Sequence, residues 1–548
     1  MIKPNPTLCF SLVPFCLVWL ACVENDAAEA PISEPARPIS GSLILHGGGK
    51  LGSSILDAFI KLAGGADARI VLIPSAGSSA EINEEDADLA AFRTRGVHSA
   101  VLLNAKTHQQ ANADEPGLTM PLNTATGVWI NGGSDLEKIY AGTRVETGLH
   151  AVMSRGGVIA ANAEGARAMS EVAIRAGKTG DDFGRGFGLL AGVVIETHFL
   201  KRNGLERMNA ILTAHPGLAG LGIDESTALI VHERRMGIFG ESSVTVCFSA
   251  SANRPAKTQT LKNAEMCDLV AISRAAIARA KPLFPPIVPS VPEVAGNGTL
   301  VIEGGGMLTV ALKRFIDGAG GADAPIVIIP TALGEDAVFE PIEVALLRRA
   351  GAKNLKIIDA HNQAQASEPE YLKILNEAKG IWFCGGRQWR LVDSYLDTPA
   401  EKLMHAVLQR GGSIGGTSAG ATIQGEYLVR GNPLGNREMM AEGYERGLGF
   451  LKGVAIDQHF TQRDRFSDMS VLKQTFPQLI GLGIDENTVL IVRGHVMEVI
   501  GEHNVAVYDR DKPAAAGEGE GEKEYRVLKP GEFYDLKKRE AVQPSSFP

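Results

Sequence analysis

The strongest constraint on the fold of this chain is an internal repeat that spans most of its 548 residues. Six blocks of the first half recur in the same order in the second half, at offsets between 253 and 261 residues. The paired blocks begin at Leu43 and Leu300, Ile70 and Ile326, Val128 and Ile381, Gly156 and Gly411, Gly192 and Gly453, and Leu221 and Leu482. A period this long exceeds that of a solenoid unit, so each copy is predicted to be a whole domain.

The pattern inside each copy predicts an α/β fold. Short apolar runs rich in β-branched residues end in Gly or Pro and alternate with helical stretches such as 53–62 and 308–316. Continuous apolar strands between helices are typical of a mostly parallel sheet covered on both faces. The predicted domains are residues 41–250 and 298–548, joined by a helical and Pro-rich linker, 251–297. Functional side chains are expected at the carboxyl ends of the strands.

The second copy carries a candidate nucleophile. The run Gly416-Thr417-Ser418-Ala419-Gly420 contains a G-x-S-x-G motif between an apolar run and further small residues, which is typical of a strand that turns sharply into a helix. In such a nucleophile elbow the glycines relieve crowding, and Ser418 Oγ is held out for attack. The N–H of Ala419 then faces the developing oxyanion. An isolated motif of this kind also occurs in ordinary turns.

The candidate base is His459, 41 residues after Ser418 and directly beyond an apolar run. A carboxylate is needed to orient the imidazole and to offset its charge. Glu438 is the first choice, because it lies between Ser418 and His459 in the sequence. Asp457 and Glu426 are the alternatives.

Several blocks of the second copy closely resemble the cyanophycinases, members of a serine-peptidase family that also contains aspartyl dipeptidase. The blocks are 416–421, 447–451, 456–460, 462–465 and 483–486. The resemblance implies a flavodoxin-like or class I glutamine amidotransferase-like three-layer sandwich for each copy. It also implies that an acyl-enzyme hydrolyses the β-aspartyl-arginine links of cyanophycin, with Ser418 as nucleophile and His459 as base.

The same resemblance implies further site residues. Gly386 and Ala419 would supply oxyanion N–H groups. The substrate would contact Gln388, Asp457, Arg463 and Arg465. The chain departs from the family pattern at Arg387, where an acidic residue is expected, and at 466–468.

The first copy keeps the frame of this site and lacks its nucleophile. Ala163 stands at the position of Ser418, Glu164 at that of Ala419 and Asp135 at that of Gln388, while His198 is retained. Alanine has no nucleophilic atom, so this copy is predicted to be inactive. Because the family forms homodimers, the two copies are expected to pair as an intramolecular pseudo-dimer with one working site.

The N-terminus predicts export. Lys3 precedes the apolar run 8–23, and Ala28-Glu29-Ala30 is a small-x-small cleavage site, so residues 1–30 are predicted to be a signal peptide. The product would be periplasmic or extracellular. The pair Ala21-Cys22 also fits the end of a lipoprotein signal, which leaves a lipid anchor open.

Composition and spacing exclude several other classes. The formal net charge of −9 argues against a nucleic-acid partner. Beyond the leader, Cys247, Cys267 and Cys384 have no metal-like spacing, so no metal site is predicted. The triple glycines do not continue as G-x-G-x-x-G, so no cofactor is predicted.

The leading hypothesis is an exported serine peptidase that acts on cyanophycin or related β-aspartyl peptides. An α-aspartyl dipeptidase is the second enzyme hypothesis, favoured if Arg387 binds a substrate carboxylate. A noncatalytic binding protein, in which both copies are degenerate, is the third.

Overall fold

The computed structural model describes residues 34–74, 87–113, 116–133, 136–174, 183–252, 254–335, 340–509 and 524–548. The predicted signal peptide and Asp135 lie outside these residues. Among the helices described, none is both long and apolar enough to cross a membrane.

The first copy is an alternation of strands and helices, as the sequence predicts. Its strands are β1 Ile39–His46, β2 Arg69–Ile73, β3 Ser99–Leu102, β4 Gly127–Ile130, β5 Val158–Asn162, β6 Ser170–Ile174, β7 Phe183–Arg185, β8 Leu190–Thr197, β9 Ala219–Ile223, β10 Thr227–Glu233, β11 Arg235–Gly240, β12 Ser243–Phe248, β13 Lys257–Lys262 and β14 Met266–Asp268. Its helices are α1 Ser53–Leu62, α2 Ala87–Thr94, α3 His108–Asn112, α4 Pro116–Thr124, α5 Leu136–Tyr140, α6 Arg144–Ser154, α7 Glu164–Arg167 and α8 Leu205–Ala214, and α9 Leu269–Ala280 follows.

The second copy repeats this order. Its strands are β15 Thr299–Glu303, β16 Pro325–Ile329, β17 Asn354–Ile357, β18 Gly380–Phe383, β19 Ser413–Thr417, β20 Gly425–Tyr427, β21 Leu451–Gln458, β22 Ile480–Ile484, β23 Thr488–Arg493, β24 Val496–Gly501, β25 Val505–Tyr508, β26 Arg526–Leu528, β27 Phe533–Asp535 and β28 Glu540–Val542. Its helices are α10 Thr309–Gly318, α11 Ile342–Ala350, α12 Gln363–Ala366, α13 Pro369–Glu377, α14 Gln388–Tyr395, α15 Pro399–Gln409, α16 Ala419–Thr422 and α17 Phe466–Thr475.

Each copy is built on one large mixed sheet, in which parallel strands form one side and antiparallel strands the other. Its strand order is β14-β11-β10-β1-β5-β4-β2-β3 in the first copy and β17-β16-β18-β19-β15-β23-β24-β27-β28 in the second. In the second copy β15 to β19 pair in parallel, and β23, β24, β27 and β28 continue the sheet antiparallel. The predicted tandem α/β architecture is confirmed.

A smaller second sheet lies in each copy, and the sequence analysis did not separate it from the first. Its order is β13-β12-β9-β8-β6-β7 in the first copy and β20-β21-β22-β25-β26 in the second. Strands β13 and β14 complete the two sheets of the first copy. That copy therefore extends beyond residue 250, into what was predicted to be linker.

Both faces of the central parallel strands of the large sheet are buried, which explains their continuous apolar runs. In the second copy one face packs against α10 and α11, where Phe315 meets Trp382 edge-on at 5.1 Å between ring centroids. The other face packs against α14, α15 and the second sheet in one continuous apolar core. The first copy repeats the aromatic contact with Phe59 and Trp129, also at 5.1 Å.

Ion pairs join the two copies around α9. Asp393 of α14 accepts from Arg234 and Arg274, each at 2.8 Å. Glu442 accepts from Arg254 at 2.9 Å and from Arg279 at 2.7 Å. These carboxylates belong to the second copy, and the arginines lie in the first copy and in the segment after it.

Candidate active site

The sharp turn that the G-x-S-x-G motif predicts is present. Strand β19 ends at Thr417, α16 begins at Ala419, and Ser418 between them has φ 54° and ψ −113°. This is a strained conformation for a residue with a side chain, and such strain clusters at functional sites. A Cβ on Gly416 would lie 2.5 Å from the Gly420 carbonyl oxygen, so the turn has no room for a side chain there.

Ser418 and His459 are in direct hydrogen-bond contact. Ser418 Oγ lies 2.8 Å from His459 Nε2. Both residues also donate their main-chain N–H to the end of β15, Ser418 to the Glu303 carbonyl at 3.0 Å and His459 to the Gly304 carbonyl at 2.8 Å. Adjacent residues of one strand end therefore fix the nucleophile and the base relative to each other.

The carboxylate at the imidazole belongs to Glu486, which corrects the choice of Glu438. His459 Nδ1 lies 2.7 Å from Glu486 Oε1. Glu438 is exposed and accepts instead from Asn432 Nδ2 at 2.5 Å. Glu486 comes two residues after β22, which pairs in parallel with β21, the strand that ends just before His459. The two strand ends bring base and acid together.

The two alternative acids, Glu426 and Asp457, bond to groups other than His459. Glu426 accepts from the Gly453 N–H at 2.6 Å and from Ser290 Oγ at 3.1 Å, and so connects the linker to the second sheet. Asp457 is fully buried and pairs with Arg430 and Arg465. Neither carboxylate is bonded to His459.

The sequence also contains a signal for Glu486, which lies outside the segment between Ser418 and His459. His198 and Glu225 in the first copy are separated by 27 residues, and so are His459 and Glu486. A His and a Glu kept at constant spacing in both copies indicate a pair that works together.

The surroundings of His459 keep its imidazole neutral. Burial lowers its pKa below the ordinary 6.5, the charge of Arg463 lowers it further, and the hydrogen bond to Glu486 raises it in part. A neutral imidazole accepts a proton from a serine hydroxyl, so the resting base is in its active form at neutral pH.

We expect kcat/KM to fall as the pH drops through this lowered pKa, below 6.5, and to be level above it. Replacement Arg463→Ala is expected to move the acid limb to higher pH, because loss of the neighbouring cation favours the imidazolium. The measurement is kcat/KM against pH for both proteins. Glu303→Gln serves as a control, because burial raises the pKa of the Glu303 carboxyl to about 7 and its titration must be separated from that of His459. An acid limb that Arg463→Ala leaves in place would contradict the assignment.

The main-chain groups predicted to bind an oxyanion lie beside the serine. Ala419 is the first residue of α16, so its N–H has no acceptor within the helix. A Cβ on Gly385 would lie 3.5 Å from Ser418 Cβ, which places the Gly385-Gly386 turn against the nucleophile. Gly386 has φ 133°, and a Cβ there would lie 2.2 Å from the Ala332 carbonyl oxygen, so the turn requires glycine.

Of the four residues predicted to bind substrate, Gln388 is buried and Arg463 is exposed. Gln388 is buried and donates to the carbonyls of Val429 and Arg430 at 2.8 and 2.9 Å, so its amide N–H groups hold the loop after β20. Arg463 is exposed, at the end of the 3₁₀ turn Thr461–Arg463, and its charge acts on His459. Arg463 is therefore an exposed cation whose charge acts on the catalytic pair.

Asp457 and Arg465 are placed for support, which corrects the prediction that they contact substrate. Asp457 Oδ1 accepts from Arg465 Nη1 at 2.5 Å and from Arg430 Nε at 3.0 Å. Arg465 also donates to the Gln458 carbonyl at 2.7 Å. These charges are buried and satisfy one another, so the network fixes the end of β21 just before His459.

Replacement Asp457→Asn is expected to destabilise the protein by about 3–5 kcal/mol, because it leaves the two buried guanidiniums without their shared anion. Asp468→Asn is the matched control, since Asp468 bonds the same Arg430 at 2.9 Å but is 42% exposed. We expect the control to cost less than about 1 kcal/mol. Urea midpoints of the two variants give the comparison, and equal losses would contradict the assignment of Asp457 as the buried anchor.

The first copy reproduces the site without the nucleophile. Ala163 has φ 49° and ψ −117°, close to the values of Ser418. His198 Nδ1 lies 2.7 Å from Glu225 Oε1, as in the second copy. Asp135 lies outside the described residues.

Among the described residues, no group of three or more His, Cys, Asp or Glu side chains is arranged to hold a metal ion.

Comparison with known proteins places both copies in one family. The sequence profile of peptidase family S51 matches residues 43–239 and 294–500. A cyanophycinase of Geminocystis herdmanii is 34% identical over 203 residues, which are 36% of this chain and 74% of that protein. A cyanophycinase of Trichormus variabilis is 31% identical over 204 residues, 36% of this chain and 67% of that protein. A solved structure of a peptidase from an acI-B1 Actinobacterium covers 45% of this chain and 98% of its own, at 24% identity and a TM-score of 0.34.

Proposed function

This chain belongs to peptidase family S51, and from that membership and the geometry of the second copy we propose that it is a serine-type hydrolase with one working site. The observation that carries the proposal is the continuous contact from Ser418 Oγ to His459 Nε2 and from His459 Nδ1 to Glu486 Oε1. The serine stands on a strained elbow beside main-chain N–H groups, which is the arrangement that acyl transfer needs.

In the proposed reaction Ser418 Oγ bonds to the scissile carbonyl carbon as its proton passes to His459 Nε2. Glu486 holds the imidazole by its Nδ1–H and stabilises the imidazolium. The N–H groups of Ala419 and Gly386 bind the oxyanion. The C–N bond then breaks, His459 returns the proton to the leaving amine, and water hydrolyses the acyl-enzyme by the same route in reverse.

The proposed substrates are cyanophycin and related β-aspartyl peptides. The relatives named above are cyanophycinases. The α-carboxylate of aspartate is free in β-linked dipeptides and at the carboxyl end of the polymer, where it lies close to the last amide bond. We propose that Arg463 binds that carboxylate by charge-assisted hydrogen bonds, which its exposure and its effect on the pKa of His459 support.

The alternative of an α-aspartyl dipeptidase was favoured by Arg387, and the contacts of that side chain do not support it. Arg387 Nη2 donates to the carbonyls of Asn432 and Gly435, at 2.6 and 2.9 Å. The guanidinium therefore holds the loop after β20, a structural task that leaves its charge away from a substrate carboxylate.

The test is mass spectrometry of the products released from insoluble cyanophycin and from a panel of α- and β-linked aspartyl dipeptides. We expect β-Asp-Arg from the polymer, released when the amide bonds between its aspartyl units are hydrolysed and the β-bond to arginine stays intact. Cleavage of α-linked dipeptides alone would overturn the substrate assignment and keep the serine mechanism. The absence of any hydrolysis, together with failure of Ser418 to react with a fluorophosphonate, would favour the noncatalytic binding protein.

We also propose that the protein is exported and that its two copies pair within one chain. Export is supported by the N-terminal sequence, and it would place the enzyme where it meets polymer outside the cell. Cell fractionation with and without residues 1–30 tests it, and retention of the full-length protein in the cytoplasm would contradict it. Pairing is supported by the ion pairs of Asp393 and Glu442 with arginines on the side of the first copy. Light scattering is expected to give the mass of a single chain.

A further inference from the structure

The first copy retains more of a catalytic site than its alanine at the nucleophile position would lead one to expect. The backbone at Ala163 keeps the strained angles of the elbow, with φ 49°. The His198–Glu225 contact, at 2.7 Å, has the same atoms and the same length as its counterpart. Retention of a strained backbone and of a partly buried histidine contact means that the frame of a hydrolase site is still assembled.

What differs is the residue after the elbow. In the second copy that residue is Ala419, whose side chain ends at Cβ. In the first copy it is Glu164, whose carboxylate and main-chain N, the counterpart of the proposed oxyanion donor, both lie beside Gly132, with the N 3.3 Å from the place of a Cβ there. A Cβ on Gly132, the counterpart of Gly385, would lie 3.2 Å from Glu164 Oε2. The carboxylate therefore lies where an oxyanion would bind.

Two guanidiniums hold the carboxylate in that place. Arg167 Nη2 donates to Glu164 Oε1 at 2.7 Å, and the Arg167 side chain is 1% exposed. Arg202 Nη2 lies 3.3 Å from the same oxygen. Although burial acts to raise the pKa of Glu164, its main-chain hydrogen bond and the two cations lower it overall, so the carboxylate is charged at neutral pH.

The second copy has no side-chain carboxylate after the elbow, and Thr422 stands at the position of Arg167. Arg463 occupies the position of Arg202, by the same 261-residue offset that relates His198 to His459, and it is exposed. With Ala419 at the elbow, no hydrogen bond from this main-chain donor to a carboxylate is found among the residues that the structure describes. The two copies thus differ at the main-chain donor, which has a side-chain carboxylate beside it in the first copy and the methyl group of Ala419 in the second.

We propose that the first copy is a latent acyl-transfer site, closed by the carboxylate of its own Glu164, which occupies the anion pocket that binds the oxyanion in the second copy. A hydroxyl at position 163 and the removal of this carboxylate restore a reactive site. The proposal rests on the serine mechanism proposed for the second copy.

The test uses a fluorophosphonate on the full chain carrying Ser418→Ala, so that any reaction belongs to the first copy. One protein adds Ala163→Ser alone, and the other adds Ala163→Ser and Glu164→Ala. In the expected reaction the new hydroxyl oxygen bonds to phosphorus, the P–F bond breaks, fluoride leaves and the hydroxyl proton passes to His198 Nε2. Peptide mass spectrometry locates the adduct and gives its rate of formation.

We expect the adduct at position 163 to form at least about 100-fold faster when Glu164 is replaced, the scale of loss seen when oxyanion binding is removed. Equal rates in the two proteins would overturn the closure by Glu164. No adduct in either, with Ser418 of the unaltered protein labelled, would overturn the latent site alone. An unlabelled Ser418 would instead remove the serine mechanism on which both proposals depend.

A reciprocal replacement in the second copy tests the proposal even if the variants of the first copy fail to fold. Ala419→Glu places the carboxylate beside Ser418, with Arg463 at hand to hold it, and is expected to slow labelling of Ser418 about 100-fold or more. Ala419→Gln adds the same bulk without the charge and is the matched control. A loss with glutamine as large as that with glutamate would show that bulk rather than the anion closes the pocket, which contradicts the proposal.

Discussion

The replacement Ser418→Ala is expected to reduce kcat for peptide hydrolysis by about 10⁵- to 10⁶-fold. Alanine cannot form the acyl-enzyme, and His459 then has no hydroxyl from which to take a proton. The backbone at this position tolerates the change, since Ala163 adopts nearly the same angles in the first copy. The loss of activity should therefore come without a loss of stability.

The measurement is single-turnover hydrolysis of a β-aspartyl peptide, with the melting temperature recorded beside it. Ser367→Ala is the matched control, because Ser367 lies just after α12 and its hydroxyl bonds only to the Gln363 carbonyl in the described part of the chain. We expect the control to keep kcat within about twofold. Activity above about 1% in Ser418→Ala would show that another group is the nucleophile, and Ser418 would lose its assignment.

The replacement Glu486→Gln is expected to reduce kcat by about 10³- to 10⁴-fold with little change in KM, the scale of effect known for the acid of a serine triad. The amide keeps the size of the side chain and loses the negative charge. It can also donate to His459 Nδ1 and so favour the wrong tautomer, with the proton on the nitrogen that faces Ser418.

Glu438→Gln distinguishes the acid found in the structure from the one chosen from sequence order. Glu438 is exposed and bonds to Asn432, so its replacement is expected to leave kcat within about twofold. Glu225→Gln, the same change in the first copy, is expected to be silent for catalysis. If Glu438→Gln showed the large loss and Glu486→Gln did not, the triad derived from the geometry would be wrong.

The two copies share one backbone arrangement at the site, which has a nucleophile in the second copy and none in the first. Both keep the strained elbow, the His–Glu contact and the cation at the same offset, and they differ in the residue at the elbow and in the residue after it. Alanine at the elbow removes a reacting atom, and Glu164 fills the space of a ligand. Both changes can be retained because neither disturbs the sheet beneath, whose register is the same in the two copies.

By itself the sequence determined the duplication, the tandem α/β fold and the pair formed by Ser418 and His459. These depend on local patterns: apolar runs of strand length, glycines that a sharp turn requires, and blocks that recur at a nearly constant offset. Each records a constraint that acts on neighbouring residues, so it can be found by reading along the chain.

Only the tertiary structure decided the acid, the role of the buried charges and the limits of the first copy. Glu486 reaches His459 because β21 and β22 are neighbours in a second sheet, a pairing that sequence order does not reveal. Asp457 and Arg465 stand among residues that would suit a binding site, and their burial against each other and Arg430 gives them a supporting role instead. Which partner a charge meets depends on how strands distant in sequence pack together, and that is settled by the folding of the whole domain.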